Sequence, residues 1–156
     1  MKGYLLDTNH IGFIFDGKRS VIAQLRSLPS RAEVCASVIS LGEIEASFRI
    51  TTSNDLQRRD EFERFVNNEM APWVLRVDRF TRQFYGELVE GIWRRHQPRN
   101  AKVRTEYHLV TLGVDVNDLW IAAQAIEHNL ILVTQDKMDT IREAAGKLLD
   151  IQNWAT

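Results

Sequence analysis

Tyr4-Leu5-Leu6-Asp7-Thr8-Asn9 is a short apolar run that stops on an acid and two polar residues. A run of this length is too short for a stable helix and reads as a central strand, and an acid at its carboxyl end falls in the crevice where open α/β sheets bind ligands. Asp7 is therefore the first candidate for chemistry, with Thr8 and Asn9 beside it. The pattern recurs far along the chain, where Leu130-Ile131-Leu132-Val133 leads into Thr134-Gln135-Asp136. Continuous apolar runs of this kind suit strands buried on both faces of a parallel sheet.

Between these two runs, strand-like and helix-like stretches alternate. Residues 8–15 carry Ile11, Ile14 and Phe15 at helical spacing before the turn pair Asp16-Gly17, and a second helix from about Ser20 to Leu28 stops at Pro29. Residues 33–38 predict a second buried strand and 40–50 a helix with Leu41, Ile44 and Phe48 on its buried stripe. A charged helix over 56–68 is broken by Ala71-Pro72, 73–77 predicts a third strand, and Asp78 can cap a helix over 80–96. Asp115-Val116-Asn117-Asp118 opens a helix that Asn129 can stop; after the strand at 130–133 come a short helix over 138–145 and a last strand at 148–151. Such alternation predicts an α/β fold, a parallel sheet with helices on both faces.

A length of 156 residues fits a single domain, 1–156, with no room for a second core. The 44% apolar and 26% charged composition, with only 3 prolines and 8 glycines, excludes a disordered or collagen-like chain. No apolar run reaches the length of a membrane span, no signal peptide is visible, and the lone Cys35 cannot form an intrachain disulfide, so a cytoplasmic protein is expected. A net charge of -1 gives no long-range attraction to nucleic acid, although local charge and bound cations matter more than the sum.

Asp7, Asp118 and Asp136 each stand where a strand ends or a helix begins, and Glu43 lies in the first turns of the helix after the second strand. In a parallel sheet those positions share one edge, so four acids can converge there. Each also has a structural role open to it: Asp7 as a helix cap, Asp118 as a first-turn acid favoured by the helix dipole, Asp136 as a turn residue. Asp115 reads as the N-cap of its helix with Asp118 as capping-box partner. Of two nearby glutamates, Glu45 has Arg49 four residues on and reads as a solvated ion pair, whereas Glu43 has small neighbours and is the functional candidate.

Neighbouring carboxylates resist joint ionisation unless a cation is present. Oxygen-only ligands suit Mg²⁺ or Mn²⁺, one ion or two, whereas no Cys/His cluster for zinc exists. Such ions acidify water and stabilise the oxygens of an in-line displacement at phosphorus, which points to a metal-dependent phosphodiesterase and most simply a nuclease. Arg94-Arg95-His96-Gln97-Pro98-Arg99-Asn100-Ala101-Lys102-Val103-Arg104 holds five Lys or Arg and no acid. It reads either as a solvated helix end and loop or as a phosphate-contacting edge through Arg99, Lys102 and Arg104.

The ordered set of Tyr4 to Asn9, Ser37-Val38-Ile39-Ser40-Leu41-Gly42-Glu43-Ile44, Asn117-Asp118-Leu119-Trp120-Ile121-Ala122-Ala123-Gln124-Ala125, and Leu130 to Asp136, with a tail ending Asn153-Trp154, resembles the PIN-domain ribonucleases. More narrowly it resembles the VapC-like toxins of toxin–antitoxin pairs. The resemblance implies a three-layer α/β/α fold with a five-stranded, mainly parallel sheet. It places the family's catalytic and metal-holding acids on Asp7, Glu43, Asp118 and Asp136, with Thr8, Asn9 and Thr134 as accessories and Asp139 competing with Asp136 as fourth acid. It further implies Mg²⁺ or Mn²⁺ dependence, RNA as substrate, a homodimer, and inhibition by a small antitoxin inserted in the active-site groove. The helices at 20–28 and 56–68 are candidates for the dimer contact. The long basic connection at 97–114 departs from the family pattern.

Three rivals stand beside this reading: a PIN-type nuclease acting on structured RNA or DNA outside toxin–antitoxin biology, a non-catalytic PIN-like binding module, and a haloacid-dehalogenase-type phosphatase. The last needs a second aspartate where Asn9 stands.

Overall fold

In a computed structural model, residues 1–51, 56–70 and 73–156 are described. The expected Ala71-Pro72 break lies outside them. The strands are β1 (Tyr4–Leu6), β2 (Val34–Ser37), β3 (Val74–Leu75), β4 (Ile131–Val133) and β5 (Asp150–Gln152). They form one sheet in the order β3-β2-β1-β4-β5, and every pairing is parallel. The first apolar run thus lies at the centre, with Leu5 opposite Cys35 on one side and Leu132 on the other.

The two-residue period of the strands divides the core. Leu5, Cys35 and Leu132 point to one face and their neighbours Leu6, Ala36 and Val133 to the other. The first face is covered by α5 (Thr81–Arg95), α6 (Thr105–Thr111), α7 (Val116–Glu127) and α8 (Asp139–Ala145). The second is covered by α1 (Thr8–Phe15), α2 (Arg19–Ser27), α3 (Val38–Ile50) and α4 (Leu56–Phe65). The chain is the expected three-layer α/β/α sandwich. Leu41, Ile44 and Phe48 of α3 pack against the second core as their spacing predicts. Cys35 is buried, and burial together with Glu33 pushes its thiol up to about 11.

Local chemistry sets the boundaries. Gly17 takes φ +72° after α1, and Asn129 takes φ +52° after α7, left-handed conformations that Gly and Asn tolerate best. Asp78 Oδ1 accepts from the backbone N–H of Phe80 and Thr81, while Thr81 Oγ1 accepts from Asp78 N–H, closing a reciprocal cap on α5.

Several expected bounds move. Strand β2 stops at Ser37, whose hydroxyl caps α3 by accepting from Ile39 N–H, so the helix starts at Val38 rather than Ser40. The charged helix ends at Phe65, and Val66–Met70 continues it as a π-helical turn. Strand β3 keeps only two residues of the expected five, and β5 is shifted to Asp150–Gln152 by a 3₁₀ turn at Gly146–Leu148. The basic connection at 97–114 is not simply a loop: it contains α6. Among the described residues, no single helix is long and apolar enough to cross a membrane.

Candidate active site

Because the sheet is parallel, the carboxyl ends of its strands and the amino ends of the following helices share one edge. Asp7 follows β1 and caps α1, Glu43 lies in the second turn of α3, Asp118 lies in the first turn of α7, and Asp136 follows β4. The structure brings these four to that edge. The effect is seen at Asp118, whose carboxyl is pushed from 3.8 up to about 7, first by burial and then by Asp115, Asp136, Glu43 and Asp7. Five carboxylates therefore share one field.

Each acid is held differently. Asp7 is nearly buried, and its Oδ1 accepts from the backbone N–H of His10 at 2.7 Å and sits 2.8 Å from the His10 ring Nδ1. Glu43 is gripped from two helix starts: Thr8 donates its hydroxyl to Oε2, and Asn117 Nδ2 donates to Oε1 at 2.9 Å. Asp115 caps α7 by accepting from Asn117 N–H at 2.7 Å, as its position predicts. Its expected capping-box partner Asp118 borders a cavity of 220 Å³ that Asp115, Lys137 and Asp139 also line. Thr134 is buried and accepts from Asp136 N–H at 3.0 Å, which fixes the turn carrying the fourth acid. Thr8, Asn9, Glu43 and Ser47 line a neighbouring cavity of 290 Å³.

Asp136 and Asp139 occupy different relations to this centre. The charge of Asp136 reaches Asp118, and Asp136 is exposed on the turn. Asp139 shares the Asp118 cavity from the first residue of α8. Glu45 is the solvated ion pair its spacing predicts, bonded to Arg49 at 2.6 Å and also to Arg59 at 2.7 Å, and these partners hold its carboxyl below the ordinary value.

The donor set is entirely oxygen and strongly anionic, which fits a hard divalent cation. Among the described residues, no three side chains stand at the spacing of one coordination shell; Glu43 is turned to Thr8 and Asn117.

Arg99, Lys102 and Arg104 are exposed but line neither acid cavity. Helix α5 starts beside the acid edge and runs away from it, these residues follow its far end, and α6 brings the chain back to Asp115. Arg104 leans on Tyr107, 5.6 Å from the ring centre. The loop after β3, in contrast, leaves the sheet on the acid edge and exposes Arg76, Arg79 and Phe80, with the Arg79 guanidinium 4.6 Å from the Phe80 ring centre.

Sequence reasoning passed over His10, Asn117 as the holder of Glu43, and this Arg76–Phe80 loop. His10 had a local signal, its place three residues after Asp7 in a first helical turn. Asn117 was visible only as one of several capping groups.

A family model described as PIN domain matches residues 4–147. Among solved structures, the chain is similar to VapBC2 from Rickettsia felis bound to a promoter DNA fragment, at 22% identity and TM-score 0.68 over 97% of this chain and 98% of that one. It is similar to DNA-bound VapBC from Salmonella typhimurium, at 21% identity and TM-score 0.70 over 99% of each chain. It also resembles FitAcB from Neisseria gonorrhoeae, at 21% identity and TM-score 0.66 over 97% of each. Comparison with curated proteins gave no match. The match over nearly the whole chain, on the fold and acid edge described above, makes this protein a member of the PIN-domain family.

Proposed function

We propose that this protein is a Mg²⁺- or Mn²⁺-dependent endoribonuclease and the toxin of a toxin–antitoxin pair. The observation that carries this reading is the convergence of Asp7, Glu43, Asp118 and Asp136 on one edge of the parallel sheet, where burial first and the neighbouring acids second push the Asp118 carboxyl up to about 7. Such an arrangement is costly for a binding module and useful for holding a hard cation.

Asp7, Glu43 and Asp118 would hold the principal ion, and Asp136 would complete the pocket or help hold a second. Bound there, a divalent ion supplies Lewis-acid stabilisation of phosphoryl oxygens and acidifies water. The chain's own residues do the rest. Thr8 and Asn117 orient the Glu43 carboxylate, Thr134 fixes the turn of Asp136, and Asn9, beside Thr8 on the same cavity, is placed to hold water or phosphate. Asp139 is the reserve acid on the Asp118 cavity.

Similar structures are of VapBC complexes, which supports a small antitoxin as partner. An antitoxin segment inserted in the active-site groove would meet the cavities of Asp118 and Glu43, while Leu25, Ile14, Phe65 and Met70 line a separate cavity of 350 Å³ between α1, α2 and the end of α4 that offers an amphipathic segment a second surface. A homodimer through α2 or α4 and a cytoplasmic location belong to the same reading.

The test is incubation of partner-free protein with total cellular RNA, with Mg²⁺ or Mn²⁺ and with EDTA. Discrete products that disappear with EDTA are expected. No cleavage by folded protein that binds Mn²⁺ would move the reading to DNA or structured RNA. Failure to bind Mn²⁺ would favour the non-catalytic module, to which the engagement of both Glu43 oxygens with Thr8 and Asn117 lends some support.

RNA backbone contact is assigned both to Arg99, Lys102 and Arg104 and, nearer the acids, to Arg76 and Arg79. Reversing Arg76 and Arg79 to Glu is expected to weaken RNA binding about tenfold at low salt and to flatten its salt dependence, because phosphate contacts release counterions. Reversing Arg99 and Lys102 is expected to cost less. Filter-binding affinities across a salt series check the order.

A further inference from the structure

His10 is wholly buried although imidazole is polar, and both of its ring nitrogens have partners. Its ring Nδ1 stands 2.8 Å from Asp7 Oδ1, and its backbone N–H donates to the same oxygen at 2.7 Å. The far nitrogen, Nε2, accepts from the backbone N–H of Trp154 at 3.3 Å. A backbone N–H can only donate, so Nε2 carries the lone pair and Nδ1 carries the proton. The ring is walled edge-on by Phe13, with centroids 5.5 Å apart, and by Trp154, with centroids 6.5 Å apart.

A helix cap requires only the backbone bond to Asp7 Oδ1. The Nδ1 bond is additional, and it removes the remaining rotational freedom of that carboxylate. Both bonds fall on Oδ1, and neither occupies Oδ2. The tautomer that makes this possible is set 144 residues away, by the tail after β5.

We propose that His10 is a positioning residue for Asp7, and that the Trp154 backbone, by fixing the His10 tautomer, makes the carboxyl-terminal tail a part of the cation site. The proposal rests on the metal-dependent reading above. Groups one shell out that orient a metal-holding side chain are typically worth about 10–100-fold in metal affinity.

Three variants decide it, each read by Mn²⁺ affinity from electron paramagnetic resonance and by melting temperature. His10→Leu fills the apolar walls but removes the donor, and a Mn²⁺ Kd raised about tenfold or more is expected with the fold retained. His10→Asn places an amide Nδ2 where imidazole Nδ1 was and is expected largely to restore Mn²⁺ affinity. His10→Gln places its amide at the Trp154 end, leaves no donor at Asp7, and is expected to behave like the leucine variant. Wild-type Mn²⁺ affinity in His10→Leu overturns the proposal. If that variant does not fold, equal affinities in the Asn and Gln variants overturn it. If wild-type protein itself binds no Mn²⁺, the metal-dependent reading fails and this role fails with it.

Discussion

Asp118→Asn is expected to raise the melting temperature of the metal-free protein at pH 8 while lowering divalent-ion-dependent RNA cleavage on the order of 10²–10³-fold. Burial first, then Asp115, Asp136, Glu43 and Asp7, raise the Asp118 carboxyl from 3.8 to about 7 in the folded chain. Folded protein thus holds this proton more tightly than unfolded protein does. The group's contribution to stability is fully present below 3.8 and is lost as pH rises through about 7. At pH 8 the ionised side chain is a local cost that the neutral, nearly isosteric amide removes, so the variant should melt higher. The gap should narrow as the wild type is protonated on the acid side of 7.

The same proton appears in cation binding. Wild-type Mn²⁺ affinity is expected to rise about tenfold per pH unit below the Asp118 value and to level above it, because the ion displaces one proton. In Asp118→Asn the affinity is expected to be low and nearly independent of pH. Thermal melts and Mn²⁺ titrations from pH 5 to 9 check both arms. A variant that melts no higher than wild type at pH 8 and cleaves normally would remove Asp118 from the centre. A site residue whose loss stabilises the fold is what a function-bearing cluster of like charges should give.

The positions of the acids were legible because they depend on local pattern. Leu5-Leu6 before Asp7 and Leu132-Val133 before Thr134 are short apolar runs with abrupt polar ends, and a parallel sheet turns such ends into one edge without further information. The long-range bonds that hold Glu43 and His10 were not legible, because their donors come from remote chain. Asn117 reaches Glu43 across 74 residues, and Trp154 reaches His10 across 144. Helix α6 was missed for a different reason: of its residues only Leu109 is fully buried, while Tyr107 and Val110 are exposed, so the amphipathic signal that marks a helix is weak there. Strand β3 shrank because an edge strand needs only one neighbour, and pairing extends only over Val74 and Leu75.

Glu43→Gln and Glu45→Gln, two residues apart on α3, are expected to differ by on the order of 10²–10³-fold in cleavage rate. The helical period sends the two side chains to unlike surroundings. Glu43 lies on the cavity with Thr8, Asn9 and Ser47, and its two oxygens accept from Thr8 and Asn117. A glutamine there keeps the volume and can keep both partners only by reversing one bond, its amide N–H donating to the Thr8 hydroxyl while its oxygen accepts from Asn117. It also removes one of the lesser charges acting on Asp118, which should lower the Asp118 carboxyl somewhat from about 7 while burial, the largest cause, keeps it raised. Cation affinity falls through the lost ligand charge, and its pH dependence moves to lower pH, a displacement that simple unfolding would not produce. Glu45 instead faces Arg49 and Arg59 at the surface. Exposed ion pairs contribute little, so Glu45→Gln should cleave within about twofold of wild type and lose part of any salt dependence of its melting temperature. Parallel cleavage assays with Mn²⁺ titrations at two pH values check the pair, and comparable losses in both variants would show that the face of α3 turned to Glu43 is not the one that does chemistry.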